Sequence, residues 1–588
     1  MNLSSTIKSI QDIMRKDDGV DGDAQRIGQL SWMLFLKIFD QCEETWENDT
    51  KNSRKKYRSP LPEECRWRNW TKNFKEAKGE KTRAQGVGLI KHVNDAVFPG
   101  LQHLNIKGNS KAKVVHDVFQ DANNYMKSGT QMLAVIEKLD QSVDFHNIKN
   151  RGQLGDVYEH ILNDLRSAGN AGEFYTPRSI TEFMVKMVNP SFKKREIVLD
   201  PACGTGGFLT ATIAHLESQI SKRPSAENYK TIAECISGFE KKKLPHLLCV
   251  TNMMLHGIEV PSMIEHRNTL ATSWDAWKNI KPVSCVITNP PFGGMEESDV
   301  GNDYPSDVRT RETADMFLVL IVKRLLATDG GRGAVVLPDG TPFGEGVKAR
   351  VKKLLMEECH LHTIIRLPNG VFSPYTGIKT NLLFFTRGKP TNTIWFYEHR
   401  YPAGVRSYSK TKPLRTEEFD PIVAWWGDES DGFTARSESE QAWKIDFEAI
   451  KQAAEAKAEP YWEAAKTLSN EASVLANQIK NLRDSLKTEK SVTKSTKTEE
   501  KITTITNKFE SLRQQAREQQ SIGDRHFWPI YNLDIKNPNV VADDDLDADD
   551  LLVKYKALER EIENTQIQLK RKLSIAMTHH LDVGKTAR

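Results

Sequence analysis

The sequence predicts an open α/β fold with a doubly wound, mostly parallel sheet, flanked by helices at both ends of the chain. Two short apolar runs, at 197–199 and 283–287, stop abruptly at turns rich in glycine or proline, which is typical of buried strands. Further apolar runs are separated by helical stretches, an arrangement that favours parallel strands joined by crossover helices. The chain of 588 residues is long enough to form several domains.

We predict four regions along the chain. They are a helical N-terminal domain over 1–165, an α/β domain over 166–390, a strand and loop extension over 391–455, and a helical, coiled-coil-like region for subunit association over 456–588. The strongly apolar stretch 30–39 is the expected core helix of the first region.

A basic run at 51–58 is followed closely by Trp67 and Trp70. Basic side chains beside aromatic ones are typical of a surface that faces nucleic-acid phosphate. A charge run is more often only a solvated surface. The sequence leaves both interpretations open.

A glycine-rich turn follows the first predicted strand. Asp200-Pro201-Ala202-Cys203-Gly204-Thr205-Gly206-Gly207-Phe208 has the spacing G-x-G-G and leads into an apolar helix. This spacing is neither the dinucleotide fingerprint nor the phosphate loop of nucleotide hydrolases. Glycines let the backbone approach a ligand, and the helix N-terminus favours a ligand carboxylate. The turn predicts a nucleotide-type ligand, with a plain tight turn as the alternative.

The next predicted strand, at 235–240, ends in Glu240. A carboxylate at this place in a βαβ unit can hold the hydroxyl groups of a ribose. The alternative is an ordinary solvated charge at a strand end.

The apolar run at 283–287 ends in Thr288-Asn289-Pro290-Pro291-Phe292. Neither proline has an N–H to donate, so the turn can present a backbone carbonyl beside the Asn289 side-chain oxygen. Such acceptors suit a substrate amino group, and Phe292 offers a flat surface on which an aromatic ring can stack. The alternative is a proline-rich turn with Phe292 in the core.

Later segments complete the predicted architecture. The polar segment 293–312 is either a mobile lid or an ordinary surface loop. Strands are predicted at 333–338, 362–367, 381–386 and 393–397. Apolar residues recur at heptad-like spacing along two helices (Leu475, Ile479, Leu482, Leu486 and Ile502, Ile505, Phe509, Leu512) and a final one (Leu551, Tyr555, Leu558, Ile562, Leu569). These seams pack either on partner helices or on each other.

Together these motifs strongly resemble those of the γ-type N6-adenine DNA methyltransferases. The segment 200–208 is similar to the family's cofactor loop, and 289–292 to its catalytic tetrapeptide. Gly172-Glu173-Phe174-Tyr175-Thr176-Pro177-Arg178 is similar to the segment that closes over the methionine end of the cofactor. The order of these motifs most resembles that of the modification subunits of type I restriction-modification systems, and the resemblance covers 170–390.

The resemblance implies a class I S-adenosylmethionine-dependent methyltransferase fold and an adenine-specific DNA methyltransferase without a metal ion. The implied cofactor, S-adenosylmethionine, would be held by Tyr175, Thr176, Pro177, Asp200, Ala202, Gly204, Thr205, Gly206, Gly207, Phe208, Glu240 and Asn268. The implied catalytic residues are Asn289, Pro290, Pro291 and Phe292. Phe292 would stack on a flipped-out adenine, while the Asn289 side chain and the Pro290 carbonyl accept the hydrogens of its amino group.

One position departs from the family pattern. The family often has an acidic residue after the third strand, near the cofactor's adenine, where this chain has Asn268. An asparagine side chain can still donate to and accept from an adenine edge. We therefore expect cofactor binding to be retained.

The resemblance also implies partners. A separate specificity subunit would read the double-stranded DNA, two modification subunits would join each specificity subunit, and a motor-nuclease subunit would join for restriction. Two other functions stay open. One is methylation of RNA or of protein glutamine, because the tetrapeptide orients other planar amino groups in similar families. The other is a catalytically silent assembly subunit.

The composition of the chain argues against several classes of protein and site. Lys and Arg number 83 and Asp and Glu number 79, so the net charge is only +4 and a whole-chain basic signature for nucleic acid is absent. The seven cysteines lack C-x-x-C spacing, which argues for a reducing interior and against a zinc site. The sequence shows no signal-like or membrane-spanning apolar run, and we expect a cytoplasmic protein.

Overall fold

The computed structural model describes residues 3–51, 54, 56–76, 83–120, 122–144, 158, 175–221, 223–373, 376–409, 411–488, 492–539, 555–556, 559–560, 562–563 and 565–570. They belong to two units, 1–535 and 536–588. Three sequence predictions fall on positions outside the described residues: the role of 172–174, and the places of Leu551 and Leu558 on the final helix.

The strands of unit 1 form a single sheet. In chain order they are β1 (Val198–Asp200), β2 (Ile236–Glu240), β3 (Ile264–His266), β4 (Cys285–Thr288), β5 (Arg332–Pro338), β6 (Cys359–Leu367), β7 (Thr380–Arg387), β8 (Thr393–Glu398) and β9 (Ala442–Asp446). Their order across the sheet is β3-β2-β1-β4-β5-β7-β6-β8-β9. β7 runs antiparallel to β5 and β6, and β9 runs antiparallel to β8. The other neighbours are parallel, so the predicted mostly parallel sheet is confirmed.

Helices surround the sheet and extend beyond it. In chain order they are α1 (Leu3–Met14), α2 (Asp23–Thr50), α3 (Trp67–Glu76), α4 (Arg83–His92), α5 (Phe98–Gln102), α6 (Ser110–Phe119), α7 (Gly129–Ser142), α8 (Arg178–Val188), α9 (Gly207–Ser218), α10 (Ala226–Glu234), α11 (Lys243–Leu255), α12 (Thr313–Leu320), α13 (Gly340–Phe343), α14 (Val347–Glu358), α15 (Asp420–Trp425), α16 (Phe447–Thr488) and α17 (Val492–Phe527). Among the described helices, none is both long and apolar enough to cross a membrane.

The central strands β1 and β4 are buried along their whole length, as is expected of parallel strands whose two faces are covered by helices. Every residue of β1 and of β4 is buried, including the polar Asp200 and Thr288 at their carboxyl ends. Two prolines directly after Asn289 end β4, since proline cannot donate to a strand ladder. The apolar runs therefore place polar residues at one edge of a buried sheet.

The helices α1 to α7 form an N-terminal core around α2. Trp32, Phe35 and Phe39 of α2 are each at most 1% exposed. Trp67 and Trp70 are also 1% exposed, and the Trp67 Nε1 donates to Asp140 Oδ1 over 2.8 Å. The interpretation that these two tryptophans face nucleic acid is therefore wrong. Their apolar area is needed in the core, which a sequence run alone does not reveal.

The N-terminal helices pack directly on the α/β region. Helix α2 packs against α11, and Trp46 of α2 donates from Nε1 to Glu259 Oε2 over 2.7 Å. One continuous apolar cluster contains residues of α2 and of α11. The two regions consequently belong to one folded unit.

The segment 391–455 contributes to the sheet. Strands β8 and β9 extend it beyond β6, and α15 lies between them in the chain. Phe396 of β8 and Trp443 of β9 stack with ring centroids 5.2 Å apart. This stacked pair joins the extension to the sheet's apolar core.

The long helices α16 and α17 pack along each other within the chain. The seam residues that the sequence identified on them are all buried or half-buried, and Ile479 is 8% exposed. For these two seams the structure favours packing on each other over packing on a partner. In the second unit, Tyr555, Ile562 and Leu569 are exposed, and a partner for that face stays a prediction.

A glycine in α17 allows the close approach of α16. A Cβ added at Gly523 would lie 2.6 Å from Trp462 Nε1 of α16 and 3.2 Å from the Ala458 carbonyl oxygen. We predict that Gly523→Ala destabilises the α16–α17 pair by about 1–3 kcal/mol, because overpacked side chains must shift. Faster hydrogen exchange confined to α16 and α17, with a lower thermal midpoint, would show this.

Gly88→Ala is the matched control, because Gly88 is also helical and its added Cβ would have its nearest neighbour at an ordinary 3.7 Å. That variant should be neutral or more stable by about 0.4–1 kcal/mol, since alanine reduces the freedom of the unfolded chain. Equal effects of the two substitutions would show that helical propensity, and not packing on Trp462, governs Gly523.

Candidate active site

A cavity lies at the carboxyl ends of β1, β2 and β4, where ligands bind in open α/β sheets. Its volume of about 190 Å³ is well above the roughly 10–15 Å³ that is needed to hold one water molecule. The predicted site residues that line it are Tyr175, Thr176, Asp200, Ala202, Gly204, Thr205, Gly207, Phe208, Glu240, Asn268, Asn289 and Pro291. The strand order brings these separate motifs together, because β1 lies between β2 and β4.

Four predicted site residues are not part of the cavity wall: Pro177, Gly206, Pro290 and Phe292. Pro177 is buried and directly precedes α8, where its carbonyl accepts from the N–H groups of Ile180 and Thr181. This helix start directs Tyr175 and Thr176 towards the cavity.

Gly204 and Gly206 have different structural tasks. Both have positive φ angles, of 53° and 86°, which favour glycine. A Cβ on Gly204 would meet nothing within 4 Å, so the backbone there borders open space. A Cβ on Gly206 would lie 2.9 Å from Cys249 Sγ and 2.9 Å from Met253 Cε. Gly206 therefore allows the loop to pack on α11, whereas Gly204 faces the cavity.

Asp200 joins the glycine loop to the proline turn. Its Oδ1 accepts from the Thr288 hydroxyl over 2.7 Å and from the Ala202 N–H over 3.1 Å. Burial raises the pKa of this carboxyl group to about 7, because desolvation disfavours the charged form more than the two hydrogen bonds favour it. The carboxyl ends of β1 and β4 are thus held by one buried acid.

Glu240 orders the other side of the glycine loop. Its Oε2 accepts from the Gly204 N–H over 2.9 Å, and its Oε1 accepts from the Lys242 N–H over 2.6 Å. A carboxylate offers about four acceptor positions and can accept several hydrogen bonds at once. The side chain lines the cavity and can both shape the loop and contact a ligand.

In the Asn289 side-chain amide, the nitrogen has a hydrogen-bond partner among the described residues and the oxygen has none. Its Nδ2 donates to Thr176 Oγ1 over 2.9 Å, which joins positions 113 residues apart. Its Oδ1 is buried and accepts no hydrogen bond from any described residue. A buried unpaired acceptor is costly, which indicates that a ligand donor completes it.

The prolines and Phe292 shape the turn around this amide. Pro290 is buried and Pro291 is exposed. The Pro291 carbonyl accepts from the Thr313 hydroxyl at the start of α12 over 2.8 Å. Phe292 is half-buried, and its ring lies 6.1 Å from that of Phe372 in an edge-to-face arrangement.

Asn268 follows β3 and lines the cavity, as its place after the third strand suggested. Its Oδ1 accepts from the Leu270 N–H over 3.2 Å, which leaves the two Nδ2 hydrogens for other acceptors. The adjacent Thr269 donates from Oγ1 to the Pro201 carbonyl over 2.6 Å. The loop after β3 is therefore tied to the glycine loop.

Sequence reasoning missed an ion pair across the cavity wall. Lys241 Nζ lies 3.1 Å from Glu296 Oε1 and 3.2 Å from its Oε2, and both side chains line the cavity. Lys241 is adjacent to Glu240, and Glu296 is four residues beyond Phe292. The signal available in the sequence was that Lys241 and Glu296 lie near the two motifs. A charged residue in a polar loop has no characteristic pattern from which an ion pair could be predicted.

The segment 293–312 is anchored where it enters and leaves. The Thr313 N–H donates to the Gly294 carbonyl over 3.0 Å, and the Glu296 N–H donates to the Arg311 carbonyl over 3.0 Å. The Arg311 guanidinium group donates back to the Glu296 carbonyl. Of the two alternatives for this segment, its stem resembles an anchored surface loop more than a mobile lid.

Charged side chains pair at the start of α12. Lys348 Nζ lies 3.2 Å from Glu312 Oε2 and 3.0 Å from Asp315 Oδ2. Burial and the neighbouring Glu312 raise the pKa of Asp315 to about 7. Within the described ranges, no group of three or more His, Cys, Asp or Glu side chains is arranged to hold a metal ion.

Two family models match the chain. A model described as N-6 DNA Methylase matches residues 149–470. A second, described as HsdM N-terminal domain, matches residues 3–139.

Individual proteins are similar over most of the chain. The EcoEI methylase subunit, a type I restriction enzyme subunit of Escherichia coli, is 54% identical over 76% of this chain and 88% of its own length. The crystal structure of a modification subunit from Vibrio vulnificus YJ016 has a TM-score of 0.65 at 37% identity, over 76% of this chain and 93% of that one. A chain from structures of an assembling type I R-M system has a TM-score of 0.67 at 28% identity, over 98% of both chains.

We predict that Asp200→Asn changes how stability depends on pH. In the unfolded chain this carboxyl ionises near pH 3.8, whereas in the fold it keeps its proton up to about pH 7. The contribution of the neutral acid to the free energy of unfolding is fully present below pH 3.8 and is lost as the pH rises through about 7. An asparagine carbonyl can accept both hydrogen bonds and does not ionise. The free energy of unfolding of the variant should therefore rise relative to that of the parent, by up to about 4 kcal/mol, as the pH increases from about 4 to about 8.

Thermal or denaturant unfolding of both proteins across that pH range measures the difference. Asp329→Asn, at an exposed turn, controls for the loss of one surface charge. Parallel pH curves for the parent and Asp200→Asn would contradict a neutral buried acid at this position.

Proposed function

Because this chain belongs to the N-6 DNA methylase family, among the methylase subunits of type I restriction enzymes, we propose how its cavity transfers a methyl group to N6 of adenine in DNA. The observation that carries the proposal is the buried, unpaired Asn289 Oδ1 at the edge of the cavity. An acceptor in that position suits an amino group that must be oriented beside a bound methyl donor.

We propose that the cavity holds S-adenosylmethionine. Gly204 borders open space, so a ligand can approach the loop backbone closely. We propose that Glu240 accepts from the ribose hydroxyls, Asn268 contacts the adenine, and Tyr175 and Thr176 lie at the methionine end. When bound, this group supplies an electrophilic methyl on a sulfonium centre.

The cradle is completed by residues around the glycine loop. We propose that Asp200, Ala202, Thr205, Gly207 and Phe208 contact the cofactor through the cavity wall that they form. Gly206 and Pro177 support this wall by packing and by starting α8.

The target adenine would be held by the proline turn. The Asn289 Oδ1 and the Pro290 carbonyl accept the two hydrogens of N6, which turns the nitrogen lone pair towards the methyl group. Phe292 stacks on the base after it leaves the duplex. Thr313 keeps the Pro291 carbonyl in place, so the turn is rigid before the base arrives.

The enzyme is the modification subunit of a type I restriction-modification complex. A separate specificity subunit supplies recognition of the DNA sequence, and we propose a second modification subunit and a motor-nuclease subunit as further partners. The similarity over nearly the whole chain to a subunit of an assembling type I R-M system supports this arrangement. We further propose a cytoplasmic location, since the substrate is cellular DNA.

Family membership separates the functions that the tetrapeptide left open. The matched N-6 DNA methylase model favours DNA over RNA and over protein glutamine as the substrate. The formed cavity and the unpaired Asn289 oxygen argue against a catalytically silent scaffold.

We predict that Asn289→Ala binds S-adenosylmethionine within about threefold of the parent but loses methyl transfer by about 100-fold or more, because one of the acceptors that orient N6 is removed. Calorimetric titration and transfer of a radiolabelled methyl group measure the two properties. Asn279→Ala, at an exposed asparagine outside the cavity wall, is the control. Transfer at the parental rate by Asn289→Ala would exclude the proposed catalytic role.

We also predict that methylation depends on the specificity subunit, because that subunit delivers the DNA sequence. Methylation mapping of DNA from cells that express this chain alone, or with its specificity subunit, tests this. N6-methyladenine should occur in a defined motif only when both are present. Motif-specific methylation by the chain alone would show that it recognises DNA by itself.

A further inference from the structure

The Asn289 Nδ2 donates to Thr176 Oγ1, and this hydrogen bond joins the base side of the site to the methionine end of the cofactor side. Thr176 lines the cavity, and so does Asn289. Pro177 follows Thr176 and starts α8, so the backbone of Thr176 is restricted to extended conformations. The threonine hydroxyl is therefore held between the cavity and the asparagine amide.

The orientation of the Asn289 amide decides whether the site can accept an amino group. The oxygen and nitrogen ends have nearly the same size, but the oxygen accepts hydrogens and the nitrogen donates them. An amide turned the other way would present N–H groups to the N6 hydrogens, and two donors repel each other. In the structure the nitrogen faces Thr176, and the oxygen is buried without a partner.

A threonine hydroxyl cannot determine this orientation alone. It has one hydrogen to donate and two lone pairs that accept, so it can pair with either end of the amide. Among the described residues, the Thr176 hydroxyl makes no second hydrogen bond. If its hydrogen is taken by an acceptor in the cavity, the hydroxyl can only accept from Asn289. The Asn289 nitrogen must then face Thr176, and the oxygen must face the base.

We propose that Thr176 is a positioning residue that transmits cofactor binding to the Asn289 amide. Its hydroxyl donates to a carboxylate oxygen of the bound cofactor and accepts from Asn289 Nδ2, which turns Asn289 Oδ1 towards the target amino group. This inference rests on the proposed function and deepens it. The ammonium group of the cofactor does not meet this requirement, because it would donate to Thr176 and leave the hydroxyl hydrogen free to pair with the Asn289 oxygen, so neither amide orientation would be selected.

The proposal makes cofactor binding and DNA binding cooperative. A cofactor that fixes the amide orientation raises the affinity for a flipped-out adenine. By linkage, bound DNA raises the affinity for the cofactor by the same factor. The coupling factor is measured as the ratio of the cofactor dissociation constants without and with target DNA. The non-reactive product S-adenosylhomocysteine keeps the carboxylate and permits equilibrium titration.

The first test uses the full chain with its specificity subunit, as the parent, Thr176→Val and Thr176→Ser. Valine keeps the shape of threonine but has no hydroxyl, whereas serine keeps the hydroxyl. Thr176→Val should reduce the coupling factor towards one, raise the KM for DNA by about the coupling factor that is lost, and lower the methylation kcat by about tenfold or more. Thr176→Ser should restore both the coupling and kcat to within about threefold of the parent.

The second test removes the orientation problem itself. In Asn289→Asp both ends of the side chain are oxygen acceptors, so no orientation has to be selected. Thr176→Val should therefore cost less than about threefold in kcat in the Asn289→Asp background, against about tenfold or more in the parent. A merely structural role of Thr176 would give equal losses in both backgrounds.

Three results would overturn the proposal: an unchanged coupling factor in Thr176→Val, failure of Thr176→Ser to restore it, or equal losses in the two backgrounds. If Asn289→Asp is inactive, the coupling factor decides, because it needs no turnover. Failure of the proposed function is a separate result. In that case the parent complex itself transfers no methyl group to adenine or does not bind S-adenosylmethionine.

Discussion

The hydrogen bond from Thr288 to Asp200 joins the carboxyl ends of β1 and β4, and the geometry of the site depends on it. Both residues are at most 1% exposed. The same Asp200 oxygen accepts from the Ala202 N–H, so one carboxyl group positions the glycine loop and the proline turn. Separation of the two loops would leave buried polar groups unpaired, at a cost of about 1–3 kcal/mol for each group. The distance between the glycine loop and the proline turn is thereby set by a buried contact between neighbouring strands.

Further polar contacts keep the walls of the site rigid. Glu240 pairs with the Gly204 and Lys242 N–H groups, and Thr313 holds the Pro291 carbonyl. The Lys241–Glu296 ion pair connects the ends of these two walls across the cavity. Preformed walls suit methyl transfer, because reacting groups must be placed within a fraction of an ångström before catalysis gains from proximity. Asn289 is the exception, since its amide oxygen has no partner until a ligand arrives.

The parts of this structure that were predicted correctly depend on local signals. The apolar run before Asn289 became β4, and Gly204 has the positive φ that a glycine turn requires. Glu240 ends β2 and Asn268 follows β3, as their sequence positions indicated. Such features arise from backbone stereochemistry and from side-chain periodicity over a few residues, and both can be read from neighbouring letters.

The sequence by itself determined the elements, their order and the motifs that end the strands, because these follow from short-range steric and hydrophobic preferences. Only the tertiary structure decided which distant residues meet. Thr176 reaches Asn289 across 113 positions, Lys241 reaches Glu296, and Trp67 is buried instead of exposed to a ligand. It also decided that α16 and α17 pack on each other. The order of strands across the sheet and the packing of helices on it create these contacts, and no local pattern contains either.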